Sequence, residues 1–386
     1  MERLRETLGI VNPLGWTVAG LGLVALVAGL LADWQELATL ALGCLVLCLL
    51  AVPFLAGRTR IRVQLELEPE RIVAGGTVVG AVRVTNIAGG RLLPTILELP
   101  VGENAHRYPL PSLAPDAEHE EGFTIRTERR GVIPVGPVTT RRGDPAGLFS
   151  RDARWTDVRE VLVRPVMVPL EALGAGLLRD LEGVTTDAIS QSDLAFHALR
   201  EYTPGDDLRH VHWRSSAKAD QLLVRQYLDT RRSHATVVVD DRSGAWRDPD
   251  DFETALSAAA SIVTRAVLDD FETSFMCGGQ VASGTDGNLT LDAICRVEPG
   301  RTGLVSAANR AAAVATDTSL LFLVTGAAAD FATVQRAAAS FDHEVRRIGI
   351  VLDPSRTSTV TEVGDLTVIR LAELGDLAAL LRWSVQ

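Results

Sequence analysis

The chain has 386 residues, of which 23% are charged, and a formal net charge of -11 at pH 7. Acidity of this size argues against nucleic acid as a main partner and against broad contact between a soluble portion and an anionic membrane surface. The 4 cysteines form no C-x-x-C pair, which argues against a zinc site and predicts reduced apolar side chains.

Two apolar stretches near the N-terminus predict a membrane hairpin within residues 1–57. Leu14 to Ala32 and Leu37 to Ala56 are uncharged, and each is long enough to cross a hydrocarbon core of about 30 Å as a helix. The short segment between them has no Arg or Lys, whereas arginines precede the first stretch and follow the second. The positive-inside rule therefore predicts a two-pass protein of the cell membrane with both termini in the cytoplasm.

Residues 58–165 have the pattern of a β-sandwich domain. From Ile61 to Glu68, apolar and polar residues alternate with a period of two, which is typical of a half-buried strand. Short apolar runs follow at 78–84, 95–99, 123–127, 132–140 and 159–163, separated by Pro, Gly and Asn. Short strands at this spacing, with no helical periodicity between them, predict a small antiparallel sandwich.

Residues 196–218 are unusually rich in polar and aromatic side chains. The run FHALREYTPGDDLRHVHWRSSAK contains three of the 7 histidines and the only lysine of the chain. Side chains of these types either satisfy one another in a buried polar network or contact a ligand or partner. The residues that we single out for a structural or protein-binding role are His197, Arg200, Glu201, Tyr202, Pro204, Gly205, Asp206, Asp207, Arg209, His212, Trp213, Ser216 and Lys218.

This run resembles the signature of the domain of unknown function 58 family. The resemblance rests on Arg-Glu-Tyr at 200–202, Pro-Gly-Asp-Asp at 204–207, His-Trp at 212–213 and Ser-Ala-Lys at 216–218. It extends upstream to 130–137 and to the Asp-Pro-x-Gly-Leu-Phe turn at 144–149. The resemblance implies a MoxR-type AAA ATPase as partner, because domains of these two kinds commonly occur together.

Three interpretations of the motif remain open. Pro204-Gly205 predicts a turn, and Asp206 predicts the N-cap of a helix from Asp207 to about Ala217 that carries Arg209 and Trp213 on one face. The motif is then a self-satisfied network of carboxylates and arginines, a surface that docks a protein, or a metal or hydrolase centre. In the last case the ligand set would be His197, Glu201, Asp206, Asp207 and His212, with His197 and Glu201 on one helix face.

Residues 166–235 are expected to pack on the sheet that follows, and residues 236–386 predict an α/β domain. Apolar strands at 236–240, 319–325, 347–352 and 366–371 alternate with helical patterns at 252–267, 330–340 and from Glu373 onwards. This alternation predicts a mostly parallel sheet with helices on both faces. Such sheets bind ligands at the carboxyl ends of their strands, which directs attention to Asp240 and Thr325.

The order of these elements resembles a von Willebrand factor A domain, which in its active form holds Mg²⁺ on an Asp-x-Ser-x-Ser turn, a loop Thr and a later Asp. In this chain the turn reads Asp240-Asp241-Arg242-Ser243-Gly244, and no Asp follows Thr325 directly. The remaining candidate ligands, a degenerate set, are Asp240, Ser243 and Thr302. A guanidinium at position 242 occupies space that an oxygen ligand needs, so we expect neither a bound metal nor another cofactor.

These observations favour a multidomain protein: a two-helix transmembrane hairpin, an all-β sandwich domain, and an α/β von Willebrand A-like domain. We expect it to be a non-enzymatic, membrane-anchored adaptor or scaffold that works with a MoxR-type AAA ATPase through residues 196–218. A metal-dependent hydrolase is the alternative. The chain has no Gly-rich phosphate loop and no Ser-centred nucleophile turn, which favours the adaptor.

Overall fold

Two long helices pack together at the start of the chain. The computed structural model describes residues 11–55, 60–144, 146–173, 194–203, 211–219, 221–229 and 233–384. Helix α1 spans Pro13–Ala32 and helix α2 spans Gln35–Leu55. A Cβ on Gly22 would lie 2.9 Å from the Cβ of Cys44, so the missing side chain lets the helices approach closely. Both helices are long and apolar enough to cross a membrane.

Two sheets follow within the same compact unit, residues 1–164. The strands are β1 (Ile61–Glu68), β2 (Arg71–Val73), β3 (Thr77–Asn86), β4 (Thr95–Val101), β5 (Asn104–Leu110), β6 (Glu118–Arg126), β7 (Gly131–Val135), β8 (Thr139–Gly143), β9 (Ser150–Arg154) and β10 (Arg159–Arg164). One sheet has the order β1-β3-β6. The other has the order β2-β10-β7-β4-β8-β9, with β5 paired to β4. The pairs are antiparallel except β2 with β10.

The two sheets enclose one hydrophobic core, which confirms the predicted sandwich. Alternate residues of β1 and β3, among them Leu65 and Val82, pack with Leu97 and Leu99 of β4 in a single buried cluster. The period-two pattern in the sequence is therefore the pattern of inward-facing side chains. The predicted strand at 132–140 is two strands, because the chain turns at Gly136, where φ is +95°.

The turn at 144–149 contacts the beginning of α1. The carboxylate of Asp144 accepts hydrogen bonds from the backbone N–H groups of Phe149 (2.6 Å) and Leu148 (3.2 Å), which lower the pKa of Asp144 although burial opposes them. Asn12, the residue before α1, donates from Nδ2 to the carbonyl of Gly147 (2.9 Å) and from its backbone to Leu148 (2.9 Å). The turn thereby joins the sandwich to the helical hairpin.

Residues 165–386 form the second compact unit. Its elements are β11 (Leu194–Glu201), α3 (Trp213–Ala219), β12 (Leu223–Asp229), β13 (His234–Val239), α4 (Pro249–Leu268), β14 (Glu272–Cys277), β15 (Gln280–Gly284), α5 (Gly287–Cys295), α6 (Leu304–Val314), β16 (Leu320–Gly326), α7 (Phe331–Ala338), β17 (Arg346–Leu352), β18 (Thr359–Val363), β19 (Leu366–Leu371) and α8 (Leu377–Ser384). Strands β11 and β12 pair with each other. The larger sheet has the order β15-β14-β13-β16-β17-β19-β18.

The centre of the larger sheet is parallel and its two outermost pairs are antiparallel, which confirms the predicted mostly parallel sheet. Helices α4, α5 and α8 share one core with the sheet, and α6 and α7 share the other. Helix α4 begins at a capping box in which the carboxylates of Asp248 and Asp251 each accept a hydrogen bond from the backbone N–H of the other residue. Strands β14, β15 and β18 and helices α5 and α6 were not predicted from the sequence.

Candidate functional site

The described part of the motif at 196–218 contains a strand, β11, and a short helix, α3. Strand β11 pairs antiparallel with β12, and its register shifts by one residue at His197. The sequence placed His197 and Glu201 on one helix face, and this expectation is wrong. In a strand, residues four apart are separated by about 13 Å, at roughly 3.3 Å per residue, so the two cannot ligate one ion together. The backbone of Arg200 lies in the same strand, and Tyr202 donates its N–H to Leu222 at 2.9 Å.

The predicted helix from Asp207 to Ala217 is also wrong at residues 211 and 212. Val211 is buried and forms a bridge with Val224 of β12, and His212 donates its backbone N–H to Leu223 at 2.8 Å. These pairings hold the chain extended until Trp213, where α3 begins. His212 caps this helix: its Nδ1 and its carbonyl both accept from the backbone N–H of Ser215. Pro204, Gly205, Asp206, Asp207 and Arg209 lie outside the described residues.

Ser216 joins α3 to β12. Its Oγ lies 3.1 Å from the carbonyl of His212 and accepts the N–H of Leu223 at 2.9 Å. The side chain is buried, so the short helix is held in one orientation against the strand. The motif therefore has an inner face that is fixed by hydrogen bonds.

The outer face of α3 is aromatic and cationic. Trp213 is 64% exposed, and Arg214 and Lys218 are exposed as well. A side chain this exposed contributes little to the core, so we expect Trp213→Ala to leave the stability of the domain nearly unchanged. Tryptophan and arginine are enriched among the residues that dominate binding energy at protein interfaces.

A second cluster lies at the carboxyl end of β13. The carboxylate of Asp240 is fully buried and accepts hydrogen bonds from Nε (3.1 Å) and Nη2 (2.9 Å) of Arg242, and from Oγ1 of Thr325 (3.1 Å). Hydrogen bonding to Asp240 raises the pKa of Arg242 above its ordinary value. The guanidinium therefore lies beside the carboxylate that would be the leading metal ligand.

The neighbouring Asp241 is satisfied by the loop before α6. Its Oδ1 accepts the N–H of Gly303 at 2.7 Å and its Oδ2 accepts the N–H of Thr302 at 3.1 Å. A negative charge is favourable here because the N-terminal end of a helix carries partial positive charge. A Cβ on Gly300 would lie 2.2 Å from Oδ2 of Asp241, so only glycine fits there. All four carboxylate oxygens of Asp240 and Asp241 thus accept hydrogen bonds within the chain.

The three degenerate metal candidates differ in their surroundings. Thr302 contacts Asp241 through its backbone, and Ser243 is exposed at the start of a short 3₁₀ helix, Ser243–Ala245. Asp240 is paired with Arg242. The sequence had indicated that a guanidinium would compete for this space, and the geometry agrees with that interpretation.

A histidine network at the opposite end of the sheet was missed. His234 begins β13 and is buried, with Nδ1 2.9 Å from Asp317 and Nε2 2.8 Å from Ser274, which in turn lies 2.6 Å from Ser283. Glu272 is close enough that the ligand atoms of His234, Glu272 and Asp317 lie within 4.8 Å of one another. The one available signal was a histidine at the start of an otherwise apolar strand. The network joins β13, β14 and β15 to the segment before β16.

Comparison with solved structures gives matches of low similarity. The CARDB domain of the PF1109 protein of Pyrococcus furiosus, in complex with di-metal ions, is 13% identical, with a TM-score of 0.21 over 28% of this chain and 97% of that one. The Pseudomonas fluorescens alkylpurine DNA glycosylase AlkC, bound to DNA with an abasic site analog, is 15% identical, with a TM-score of 0.22 over 33% and 38%. A PKD domain of an M14-like peptidase from a Thermoplasmatales archaeon is 14% identical, with a TM-score of 0.17 over 26% and 92%. Similarity at this level carries no argument about function.

The comparison with curated proteins gave no significant match. A protein-family model matches residues 198–279, a range that includes α3, Asp240, Arg242 and β14. The model is described as protein of unknown function DUF58. The match covers 82 of the 386 residues, from 198 to 279, and it agrees with the resemblance to this family at residues 200–218.

Proposed function

We propose that the protein is a membrane-anchored cytosolic adaptor or scaffold that docks a MoxR-type AAA ATPase through residues 196–218. The observation that carries the proposal is the exposed face of α3, where Trp213 is 64% exposed beside Arg214 and Lys218 while Ser216 fixes the opposite face. A tryptophan with only two side-chain torsions, carried on a helix that Ser216 holds in place, loses little conformational entropy on binding. This face is suited to a partner that offers an apolar pocket with acidic residues around it.

The membrane anchor in this proposal is the pair α1 and α2. Large apolar side chains such as Leu30 and Leu31 are 74% and 84% exposed in water, which is costly for a soluble protein and favourable in lipid. The arginines on both outer sides of the hairpin support cytoplasmic termini and a location in the cell membrane.

We infer that the α/β domain is a von Willebrand A-like fold that works without a divalent metal and without catalysis. The inference rests on Asp240 and Asp241, whose carboxylate oxygens all accept hydrogen bonds from protein donors. Mg²⁺ requires several oxygen ligands in near-octahedral geometry, and Arg242 opposes a cation at this point. The metal-dependent hydrolase is the weaker candidate, because two of its proposed ligands, His197 and Glu201, are separated along a strand.

Capture from native membranes tests the docking surface. The tagged full-length chain is purified in mild detergent, and the co-purified MoxR-type ATPase is quantified by mass spectrometry. We expect Trp213→Ala and Lys218→Glu each to reduce capture about tenfold or more, as residues central to an interface do. The matched controls are Leu289→Ala, a 57% exposed leucine of α5, and Arg336→Glu, an exposed cation of α7.

The two control variants should capture the ATPase as the wild type does, and all four variants should keep the melting temperature of the wild type within about 3 °C, since exposed substitutions change stability little. Equal capture by the Trp213 variant and its Leu289 control would refute docking through α3. A stoichiometric transition metal in the purified protein would favour the hydrolase instead.

A further inference from the structure

A cavity of about 240 Å³ opens beside α7, in a different part of the domain from α3. Phe331 and Val334 of α7 form one wall, and strands β17, β19 and β18 form the floor. The cavity exists because α7 covers only part of this face and α8 packs on the other one. Its volume is a little below the roughly 300 Å³ at which pockets for drug-sized ligands begin, so it suits a small chemical group.

The strand register brings an arginine into this apolar floor. Arg370 of β19 is opposite Val351 of β17 on one side and Thr359 of β18 on the other, so the three side chains lie in one row on one face. The next row places Val368 beside Thr361. The floor therefore offers a guanidinium and two hydroxyl groups among aliphatic side chains.

The charge of the cavity is positive in an acidic chain. Arg247, Arg356 and Arg370 line it, together with one carboxylate, that of Asp353. Asp353 is 6% exposed, and its pKa is lowered by a hydrogen bond from Ser355 and by the charge of Arg247, so it is ionised at neutral pH. Three positive charges against one negative charge leave a net excess of about two, whereas the whole chain carries -11.

Two of the arginines are already engaged with this carboxylate. Arg247 donates from Nη1 to Asp353 at 2.9 Å, and Nε of Arg356 lies 3.7 Å from it. The guanidinium of Arg370 has no hydrogen-bond or ion-pair partner among the residues that the structure describes, although it is partly buried. A partly desolvated cation without a partner is unfavourable, and an oxyanion placed beside it removes that cost.

We propose that this cavity binds a carboxylate or phosphate group carried on a short organic stem. Arg370 is the principal ion-pair partner, since its planar fork matches such groups with two parallel hydrogen bonds. Arg356 and the hydroxyl groups of Thr359 and Thr361 complete the polar contacts, and Phe331 packs against the stem. Two sources supply this chemistry: a free small organic anion, or an acidic residue of a peptide. The site is independent of the docking surface on α3, so either proposal can fail alone.

Isothermal titration calorimetry on the full-length chain in detergent tests the proposal with three probes: inorganic phosphate, succinate and the blocked tetrapeptide acetyl-Leu-Glu-Leu-Glu-amide. We expect at least one probe to bind with a Kd of about 1 mM or below, and Arg370→Gln to weaken it about tenfold, as loss of a charge-assisted bidentate contact does. Arg336→Gln, which removes the same charge from the outer side of α7, should change the Kd less than about twofold, because water and salt screen exposed charges.

The probes also separate the two sources. Binding of succinate or phosphate as tight as that of the peptide supports a free anion, and binding of the peptide alone supports an acidic segment of a protein. If Arg370→Gln fails to fold, Arg356→Gln, at a side chain that is 64% exposed, provides the same comparison with a weaker expected loss of about threefold. The proposal is overturned if no probe binds the wild type below about 10 mM, or if the cavity variants and Arg336→Gln bind alike.

Discussion

Replacing Arg242 with alanine should destabilise the α/β domain by leaving a buried carboxylate poorly compensated. Asp240 is 0% exposed and would lose two charged hydrogen bonds, those from Nε and Nη2 of Arg242. Removing one partner of a fully buried ion pair costs about 3 to 5 kcal/mol. Here the side chain of Arg242 is 43% exposed, so solvent already screens the pair, and Thr325 and one backbone N–H remain as neutral donors. We therefore expect a loss of about 2 kcal/mol in the free energy of unfolding.

The assay is thermal unfolding of the full-length chain in detergent, with and without millimolar Mg²⁺. For a unit of 222 residues, 165–386, 1 kcal/mol corresponds to roughly 2 to 4 °C, so the melting temperature should fall by about 4 to 8 °C. Arg336→Ala, at an exposed position of α7, is the control and should leave the melting temperature unchanged within about 2 °C. Mg²⁺ should not raise the melting temperature of the wild type, because the carboxylate oxygens are already engaged.

Two results would refute this reasoning. If Arg242→Ala has the same melting temperature as the Arg336→Ala control, the guanidinium of Arg242 does not compensate the buried charge of Asp240. If Mg²⁺ raises the melting temperature of the wild type by several degrees and Asp240→Ala abolishes the rise, the cluster is a metal site and the inference that the α/β domain works without a divalent metal is wrong.

Three further predictions concern topology, acid stability and the loop at Gly300. In an otherwise cysteine-free chain, a cysteine at Asp33 should react with a membrane-impermeant thiol reagent in intact cells and one at Gln386 should not; the reverse pattern would invert the proposed orientation. Asp353 has a pKa lowered in the folded state, so its stabilising contribution is present above the ordinary value near 3.8 and is lost as the pH falls through the folded value. In the Asp353→Asn variant, the free energy of unfolding should therefore fall less steeply below about pH 4 than in the wild type. Acid titration followed by circular dichroism measures this dependence, and the same dependence in both proteins would contradict the prediction. Gly300→Ala should lower the melting temperature, because its Cβ would displace the carboxylate of Asp241, and an unchanged value would mean that the loop relaxes without cost.

Periodicity predicted the regular parts of the fold well. The alternation from Ile61 onwards and the helical repeat from Phe252 each have one buried face, and burial of that face is what produces the pattern. The strand Glu272–Cys277 was missed because five of its six residues are buried and several are polar, so neither period appears. Helices α5 and α6 are short, and their apolar faces consist largely of alanine and small residues.

The functional surfaces depend on contacts that no local pattern records. The expected helix is not formed at Val211, because Val211 pairs with Val224, and this tertiary contact overrides helix propensity there. The competition of Arg242 with a metal ligand was predictable from the sequence, because Arg242 and Asp240 lie in one turn. The cationic cavity was not predictable from the sequence, since Arg247 and Arg370 come from distant segments that only the folded sheet brings together.

The contact between Asn12 and the turn at 144–149 fixes the start of α1 against the sandwich. Three hydrogen bonds join this one side chain and its backbone to Gly147, Leu148 and Ser150, directly at the first turn of α1. Rotation of α1 about its own axis would break all three hydrogen bonds, so the helix cannot rotate freely relative to the sandwich. α1 and this turn are therefore joined at three points rather than by a single contact.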